Sequence, residues 1–483
     1  MKKKSNLELY FNNDSTDFFD VKFNLPSLEP EKLVSKESIE AVIEDYVDVI
    51  IDAGVTVFLQ NTNARKTNYS SNVWQSFWDD SDSWPLPGKC QVIHDLDVDY
   101  PATVVKRCRE RKISPWISLR MNDCHCNDRP DHGFHGDFWK LNPQYAVKGF
   151  NDYFATCLDF AHQEVRDYFM ALVEETLTRY DIDGLELDFM REPYLFSKGK
   201  EQSDAPILTQ WLREVYKLVK KYAKQRGHDI RLGVRLPSRP VVALALGFDF
   251  ITWNKEELLD LLTPTPRWGT LDHDIPLMEW REMLGKSKLT LLGGLEGGYR
   301  PYLDADLISV KHCPDVAWGA ACKRLADGAD AIYLYNYFRD ETPVMEALAY
   351  KEMLQSMTSL DTLLSLPRRV GITYSDITAP GENYQAQLPK SGSYFEFYLN
   401  PGPTDTANCS LLLDAGDCNN IPQVFVNGGR CDFLKRDPES DLLEFKIPES
   451  VVKSNCINKI VLLCPSFETL EIKAVEMMLT PKA

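Results

Sequence analysis

Residues 183–192 read DGLELDFMRE, and two carboxylates stand two positions apart in it, Glu186 and Asp188, with Leu185, Leu187 and Phe189 between and beyond them. In an extended strand successive side chains point to opposite faces, so the acids share one face and the apolar residues the other. A carboxyl inside a protein survives only when it is paired, hydrogen-bonded or protonated, and those same conditions divide two carboxyls into an acid and a base. The flanking strand-like runs continue the pattern. ISPWISLRMND turns Ile117, Leu119 and Met121 one way and Arg120 and Asn122 the other, and IRLGVRLP sets Arg235 opposite Leu232, Val234 and Leu236. A third run, KLTLLGGLEGGY, ends its inward series on Glu296, followed by glycines that let a ligand approach the backbone. Asp188 and Glu296 are therefore candidate catalytic groups. Glu186, a step deeper, is either a third member or part of a structural ion network with Arg120 and Arg235.

These runs need a scaffold that aims strand ends at one place. SIEAVIEDYVDVIIDAG carries apolar residues at helical spacing and stops at Gly54, and VTVFLQN follows as a short β-branched strand. The same helix-then-strand order recurs through SLRMND, GLELDF, RLGVRLP, LLTPTP, LTLLGGLE and AIYLYNYF, and FFDVKFNL at 18–25 supplies a first strand. Eight strands with helical crossovers over roughly 340 residues predict a parallel (β/α)8 TIM barrel. The alternative, a doubly wound open sheet, lacks a glycine-rich phosphate fingerprint after its first strand. From about residue 366 the pattern turns to short β runs split by turns, which predicts a small all-β sandwich of jelly-roll type; the expected domains are 1–365 and 366–483.

In such a barrel the inward residues near the carboxyl ends of strands line the mouth. That assigns substrate contacts to Arg120, Asn122, Asp123, His125, Arg191, Arg235, Asn61 and Asn336, with Asn63 adding hydrogen-bonding capacity. Trp74, Trp78, Trp84, Trp139, Trp268 and Tyr299 are loop aromatics on which a sugar ring could stack. The inward arginines also leave room for an acidic substituent.

Composition narrows the classes. With 54 Lys and Arg against 72 Asp and Glu among 483 residues, the net charge of −18 disfavours phosphate-backbone binding, so no nucleic-acid partner is expected. No run is apolar enough for a membrane helix, and MKKKSNLELYFNNDST lacks the apolar core of a secretory signal. Twelve cysteines scattered through a long chain read as reduced thiols, so a cytoplasmic setting is expected. Cys124 and Cys126 around His125 lack a second ligand pair, so no metal is assigned, and no cofactor is expected. The oligomeric state is open.

The stretch FAHQEVRDYFMALVEETLTRYDIDGLELDFMREP, together with SLRMNDCH, FDFITWNKEELLDLLTPTPRW and ADGADAIYLYNYF, resembles glycoside-hydrolase-like barrel proteins found among bacterial carbohydrate-utilisation genes. VFVNGG with the later IPESVV is similar to galactose-binding-like jelly rolls that accompany glycosidase barrels. DGLELDF is also similar to the DGxDxDxE strand of family 18 chitinases, but Met190 stands where that pattern has its acid and Glu192 follows two residues later, so a chitinase is not expected. The resemblance implies a glycosidase acting on an oligo- or polysaccharide. In many retaining barrels of this kind the fourth and seventh strands carry the acid/base and the nucleophile, which implies Asp188 and Glu296 in those roles, with Glu186 as electrostatic partner. A carboxyl separation of about 5–5.5 Å goes with retention and about 6.5–9.5 Å with inversion. A metal-dependent barrel lyase or hydrolase, and a non-catalytic carbohydrate-binding protein, are the alternatives.

Overall fold

In the computed structural model the described residues are 7–14, 35–79, 93–267, 269–339, 344–416, 418, 420–465 and 469–482. Eight strands close a parallel barrel: β1 (Leu9–Asn13), β2 (Val57–Asn61), β3 (Ser114–Arg120), β4 (Gly184–Asp188), β5 (Arg231–Pro237), β6 (Leu261–Thr265), β7 (Thr290–Glu296) and β8 (Ala331–Tyr335). Their order around the barrel is β1-β8-β7-β6-β5-β4-β3-β2. The first strand is thus LYFNN, upstream of the expected FFDVKFNL, which lies outside the described residues, as do Trp84 and Trp268. LYFNN carries the required alternation: Leu9 and Phe11 pack toward the helices and Tyr10 joins the interior cluster.

Crossover helices follow from local sequence. Helix α1 (Lys36–Asp52) starts on Ser35, whose side chain accepts from the Ser38 backbone N–H in a reciprocal capping box, and buries Ile39, Val42, Ile43, Tyr46, Val47, Ile50 and Ile51 on one face. Helix α2 (Tyr100–Glu110) is capped by Asp99, with Pro101 in its first turn. Helices α3 (Gln163–Arg179) and α4 (Glu201–Arg226) bracket β4 in sequence, and Gly227 ends α4 with φ 80°. Among the described residues, no helix is long and apolar enough to cross a membrane.

Leu185, Leu187, Leu232, Val234, Leu236, Ile117 and Leu119 all join the cluster between strands and helices, so the inward register expected for β3, β4 and β5 is present. The lower barrel is plugged by Tyr10, Val57, Leu59, Trp116, Leu261, Leu292 and Tyr333. Gly184 makes room for that plug, since a Cβ there would lie 2.0 Å from the Trp116 ring. With the bottom filled, polar chemistry is confined to the upper layers, at the carboxyl ends.

The C-terminal part is a sandwich of two antiparallel sheets. One contains Arg368–Gly371, Ala474–Pro481, Ala407–Asp414, Leu443–Lys446 and Asp432–Arg436 in that order, and the other Tyr394–Leu399, Asn458–Leu463, Gln423–Val426 and Gly429–Arg430. Inner faces of both meet in one apolar cluster, with Leu411, Leu413, Phe445 and Met477 from the first and Phe395, Phe397, Val424 and Ile460 from the second.

Candidate active site

The register of β3, β4 and β5 sets Arg120, Asp188 and Arg235 side by side at one level. On the far wall Tyr335 of β8 pairs with Glu296 of β7. Asp188 is 1% exposed and its Oδ1 accepts the backbone N–H groups of Met190 at 2.9 Å and Arg191 at 3.1 Å. Arg235 Nε lies 3.0 Å from the same oxygen, and the guanidinium stacks on the Tyr335 ring at 4.0 Å. Although that distance makes an ion pair, no N–H of Arg235 is aligned for a hydrogen bond with any described residue. A fully buried guanidinium with five unspent donors is unusual, because buried polar groups are nearly always paired.

Glu296 is 6% exposed and its Oε1 has no hydrogen-bond partner among the described residues. Burial pushes its carboxyl well above the usual range; Arg235 and Arg191 pull the other way without offsetting it, and Asp376 and Asp188 add to the rise. Two carboxyls on facing walls therefore stand in contrasting surroundings, one supplied with donors and one deprived of them.

Glu186 lies one layer down. Its Oε1 accepts from Ser118 Oγ at 2.7 Å, Tyr333 Oη at 2.9 Å and Asn12 Nδ2 at 3.0 Å, while Oε2 has no partner among the described residues. Burial, then the charge of Asp188, raise its carboxyl to about 7 against the pull of those hydrogen bonds and of Arg235. Arg120 does not reach down to Glu186 in any hydrogen bond or ion pair; it is held by Asp123 at 2.9 Å and by Asp14.

A charged chain crosses the mouth above these groups. Arg191 NH2 donates to His125 Nε2 at 2.7 Å, so that nitrogen accepts and the ring proton sits on Nδ1, which faces Asp123 Oδ1 at 2.7 Å. Asp123 then meets Arg120, Arg120 meets Asp14, and Asn336 Nδ2 closes the series on Asp14 at 3.4 Å. Asn336 holds φ 57°, a left-handed conformation that asparagine tolerates better than most residues.

Other expected contacts have different employment. Asn122 spends both amide groups on the Leu158 backbone, at 3.1 and 2.8 Å. Asn61 Nδ2 donates to the Ser118 carbonyl at 3.0 Å, leaving Oδ1 without a partner among the described residues, and Asn63 Nδ2 donates to the Arg120 carbonyl at 2.9 Å. Trp139 stacks on His135 with Arg65 over its ring, and its indole donates to Thr156. Tyr299 is 2% exposed and donates to Glu476 of the sandwich at 2.7 Å. Trp74 stacks on Tyr168 at 4.1 Å and Trp78 on His94 at 4.9 Å. Glu192 is clasped by Arg267 through two bonds of 3.0 Å, and Arg267 lies over Tyr153 and Phe154. Cys124 Sγ sits 3.3 Å from Cys157 Sγ. Among the described residues, no three His, Cys, Asp or Glu side chains converge as ligands of one ion.

Asp14, Tyr335, Tyr333, Ser118 and Asn12 belong to the site without having been expected there. The signal for the tyrosines was present: in AIYLYNYF, Ile332 and Leu334 alternate with Tyr333 and Tyr335. Asp14 and Asn12 follow from the first strand once it is set at LYFNN.

No protein-family description matches the chain, and no curated protein does. Among solved structures, α-L-fucosidase isoenzyme 1 from Paenibacillus thiaminolyticus is similar at 12% identity and a TM-score of 0.35, over 94% of this chain and 96% of that one. A putative α-L-fucosidase from Bacteroides thetaiotaomicron gives 13% and 0.38, over 98% and 91%. A noncanonic maltogenic α-amylase from Thermotoga neapolitana gives 11% and 0.41, over 96% and 98%. At these values the likeness assigns neither substrate nor residue roles, and the fold rests on the closed eight-strand barrel and the two C-terminal sheets themselves.

Proposed function

We propose that this chain is a glycoside hydrolase whose barrel, residues 1–365, cleaves an oligo- or polysaccharide with Asp188 and Glu296 as its two carboxyls, residues 366–483 forming the companion domain. The observation that carries the reading is the contrast between them: Asp188 receives two backbone N–H groups and the Arg235 charge on Oδ1, whereas burial keeps the Glu296 carboxyl protonated well above the usual range. Glycoside cleavage needs one carboxyl of each kind on either side of the bond.

The contrast favours the reverse of the roles expected from strand position. Glu296 is the proton donor to the departing oxygen. Asp188 is the ionised group, acting through Oδ2 as nucleophile on the anomeric carbon or as base toward water. The unspent donors of Arg235, between the two, hydrogen-bond sugar hydroxyls, and Tyr335 fixes the guanidinium plane from behind. The linked Arg191 and His125, in the segments that follow β4 and β3, are placed to contact the substrate. The test is a hydrolysis screen over neutral and acidic oligosaccharides with the parent and with Asp188→Asn and Glu296→Gln. Turnover of one glycan by the parent, lost in both variants, supports the reading; unchanged turnover in both overturns the residue roles, and absence of turnover on every glycan favours a carbohydrate-binding protein.

A further inference from the structure

A cavity of about 130 Å³ lies between the barrel and the sandwich, away from the Asp188–Glu296 pair. Its barrel wall comes from the loops after β5 and β6, through Arg239, Asp272 and Asp274, and its sandwich wall from Tyr374, Tyr384, Tyr398 and Asn400. We infer that this cavity binds one neutral pyranose ring, as a second carbohydrate site that the companion domain completes.

Size, lining and charge each point there. At about 130 Å³ the cavity is slightly smaller than one of about 150 Å³ that takes a benzene ring, but it opens at a rim where Asp274 and Tyr398 are exposed, so a pyranose is held by part of its ring with its substituents in solvent. Tyrosine faces beside side-chain carboxylates and amides are the surroundings that sugar rings and their hydroxyls require. The Tyr384 hydroxyl is already fixed by the Ser375 N–H at 3.0 Å, which holds its ring in place. Tyr374 is 5% exposed and contributes to the sandwich wall of the cavity.

The ligand is neutral because Arg239, the one arginine or lysine among the described lining residues, is already neutralised: it bonds Glu382 through both terminal nitrogens, at 2.7 and 3.0 Å. Asp272 and Asp274 add no positive charge to the lining, so it offers no unpaired arginine to a carboxylate or sulfate. The sandwich segment that lines the cavity also reaches the mouth. Two residues beyond Tyr374, Asp376 accepts the Arg267 backbone N–H at 3.2 Å and contributes to the raised Glu296 carboxyl. A glycan with one ring in the mouth and another in the cavity would follow this segment. As an extension of the substrate site the inference rests on the glycosidase reading; the binding of a sugar does not.

The experiment is a ligand-observed NMR and calorimetric titration of the full chain with glucose, galactose, mannose, xylose, fucose and N-acetylglucosamine. It is run on the parent, on Glu296→Gln, and on Tyr384→Ala and Asp274→Ala, with thermal melts to check folding. Binding of at least one sugar that survives in Glu296→Gln and weakens about tenfold or more in Tyr384→Ala and Asp274→Ala is the expected result. Binding that is indifferent to both cavity variants, or no binding by any of the six, overturns the inference. If Tyr384→Ala does not fold, Asp274→Ala, at an exposed rim position, decides alone. A parent chain that hydrolyses no glycan yet shows the cavity-dependent binding leaves this inference standing while the catalytic reading falls.

Discussion

Arg235 Nε stands 3.0 Å from Asp188 Oδ1 with neither group accessible to solvent, and not one of the guanidinium N–H groups is aligned on a described acceptor. Charge balance ties the pair together and the Tyr335 ring covers one face of the guanidinium, while its donors stay unspent among the described residues.

Removing that charge exposes both halves of the relationship. Arg235→Met leaves Asp188 buried without its counter-charge, and we expect a loss of about 3–5 kcal/mol of stability. We also expect about a 10²–10³-fold fall in kcat/KM, on the scale of deleting one preorganised donor. Arg235→Lys keeps the charge without the planar fork, so it recovers most of the stability and little of the rate. Denaturant titration beside steady-state kinetics separates the two effects.

Glu186 ties stability to pH. Its carboxyl is raised to about 7 in the folded chain, so the folded state binds this proton more tightly than the unfolded one. Its stabilising contribution is complete below the unfolded value near 4.5 and is lost as pH rises toward 7, by about 3 kcal/mol in all. Glu186→Gln, with no proton to lose, does not show this decline. Urea titrations at pH 5 and pH 8 check it: the stability difference between the two pH values shrinks in the variant.

Glu296 as proton donor sets the alkaline side of the rate profile. Since its carboxyl is raised, activity holds through the range in which an ordinary glutamate is already ionised and falls only as pH climbs through the shifted value. In Glu296→Gln that limb disappears from the kcat/KM profile. An unchanged alkaline limb in the variant would assign the titration to another group.

Two acidic contacts are structural, and variants should say so. Tyr299→Phe removes the 2.7 Å bond to Glu476 and should cost about 1–2 kcal/mol of stability with the pH–rate profile unmoved. Glu192→Ala leaves the half-buried Arg267 without its partner and should cost about 2–4 kcal/mol, again without shifting the profile. A displaced profile in either case would draw that residue into the chemistry.

The barrel was legible because helix and strand periods alternate so regularly, and the inward register of Glu186, Asp188, Arg235 and Glu296 followed from two-residue alternation alone. The first strand was missed because FFDVKFNL has stronger β-propensity than LYFNN, whose closing Asn12 and Asn13 look like a turn; in the barrel Asn12 instead pairs in register with Tyr335 and donates to Glu186. That slip hid Asp14 and with it the true partner of Arg120. Loop residues such as Asn122, Trp139 and Tyr299 were placed by proximity to strand ends, and sequence spacing does not reveal that the Leu158 backbone, Thr156 and Glu476 occupy their polar groups. The differing surroundings of Asp188 and Glu296 were out of reach for the same reason: they arise from the Met190 and Arg191 backbone donors on one and, on the other, from an Oε1 with no partner among the described residues, which only folding brings together.

The central claim, Glu296 as acid and Asp188 as the ionised partner, is tested most directly by leaving-group dependence. Aryl glycosides of the preferred sugar, carrying dinitrophenol or plain phenol, are compared in the parent, Glu296→Gln and Asp188→Asn. Glu296→Gln should retain the dinitrophenyl substrate, whose leaving group needs no proton, while losing about 10²–10⁴-fold on the phenyl one, and Asp188→Asn should lose both. Equal losses on the two substrates in Glu296→Gln, with the dinitrophenyl compound selectively spared in Asp188→Asn, would contradict the account and exchange the roles.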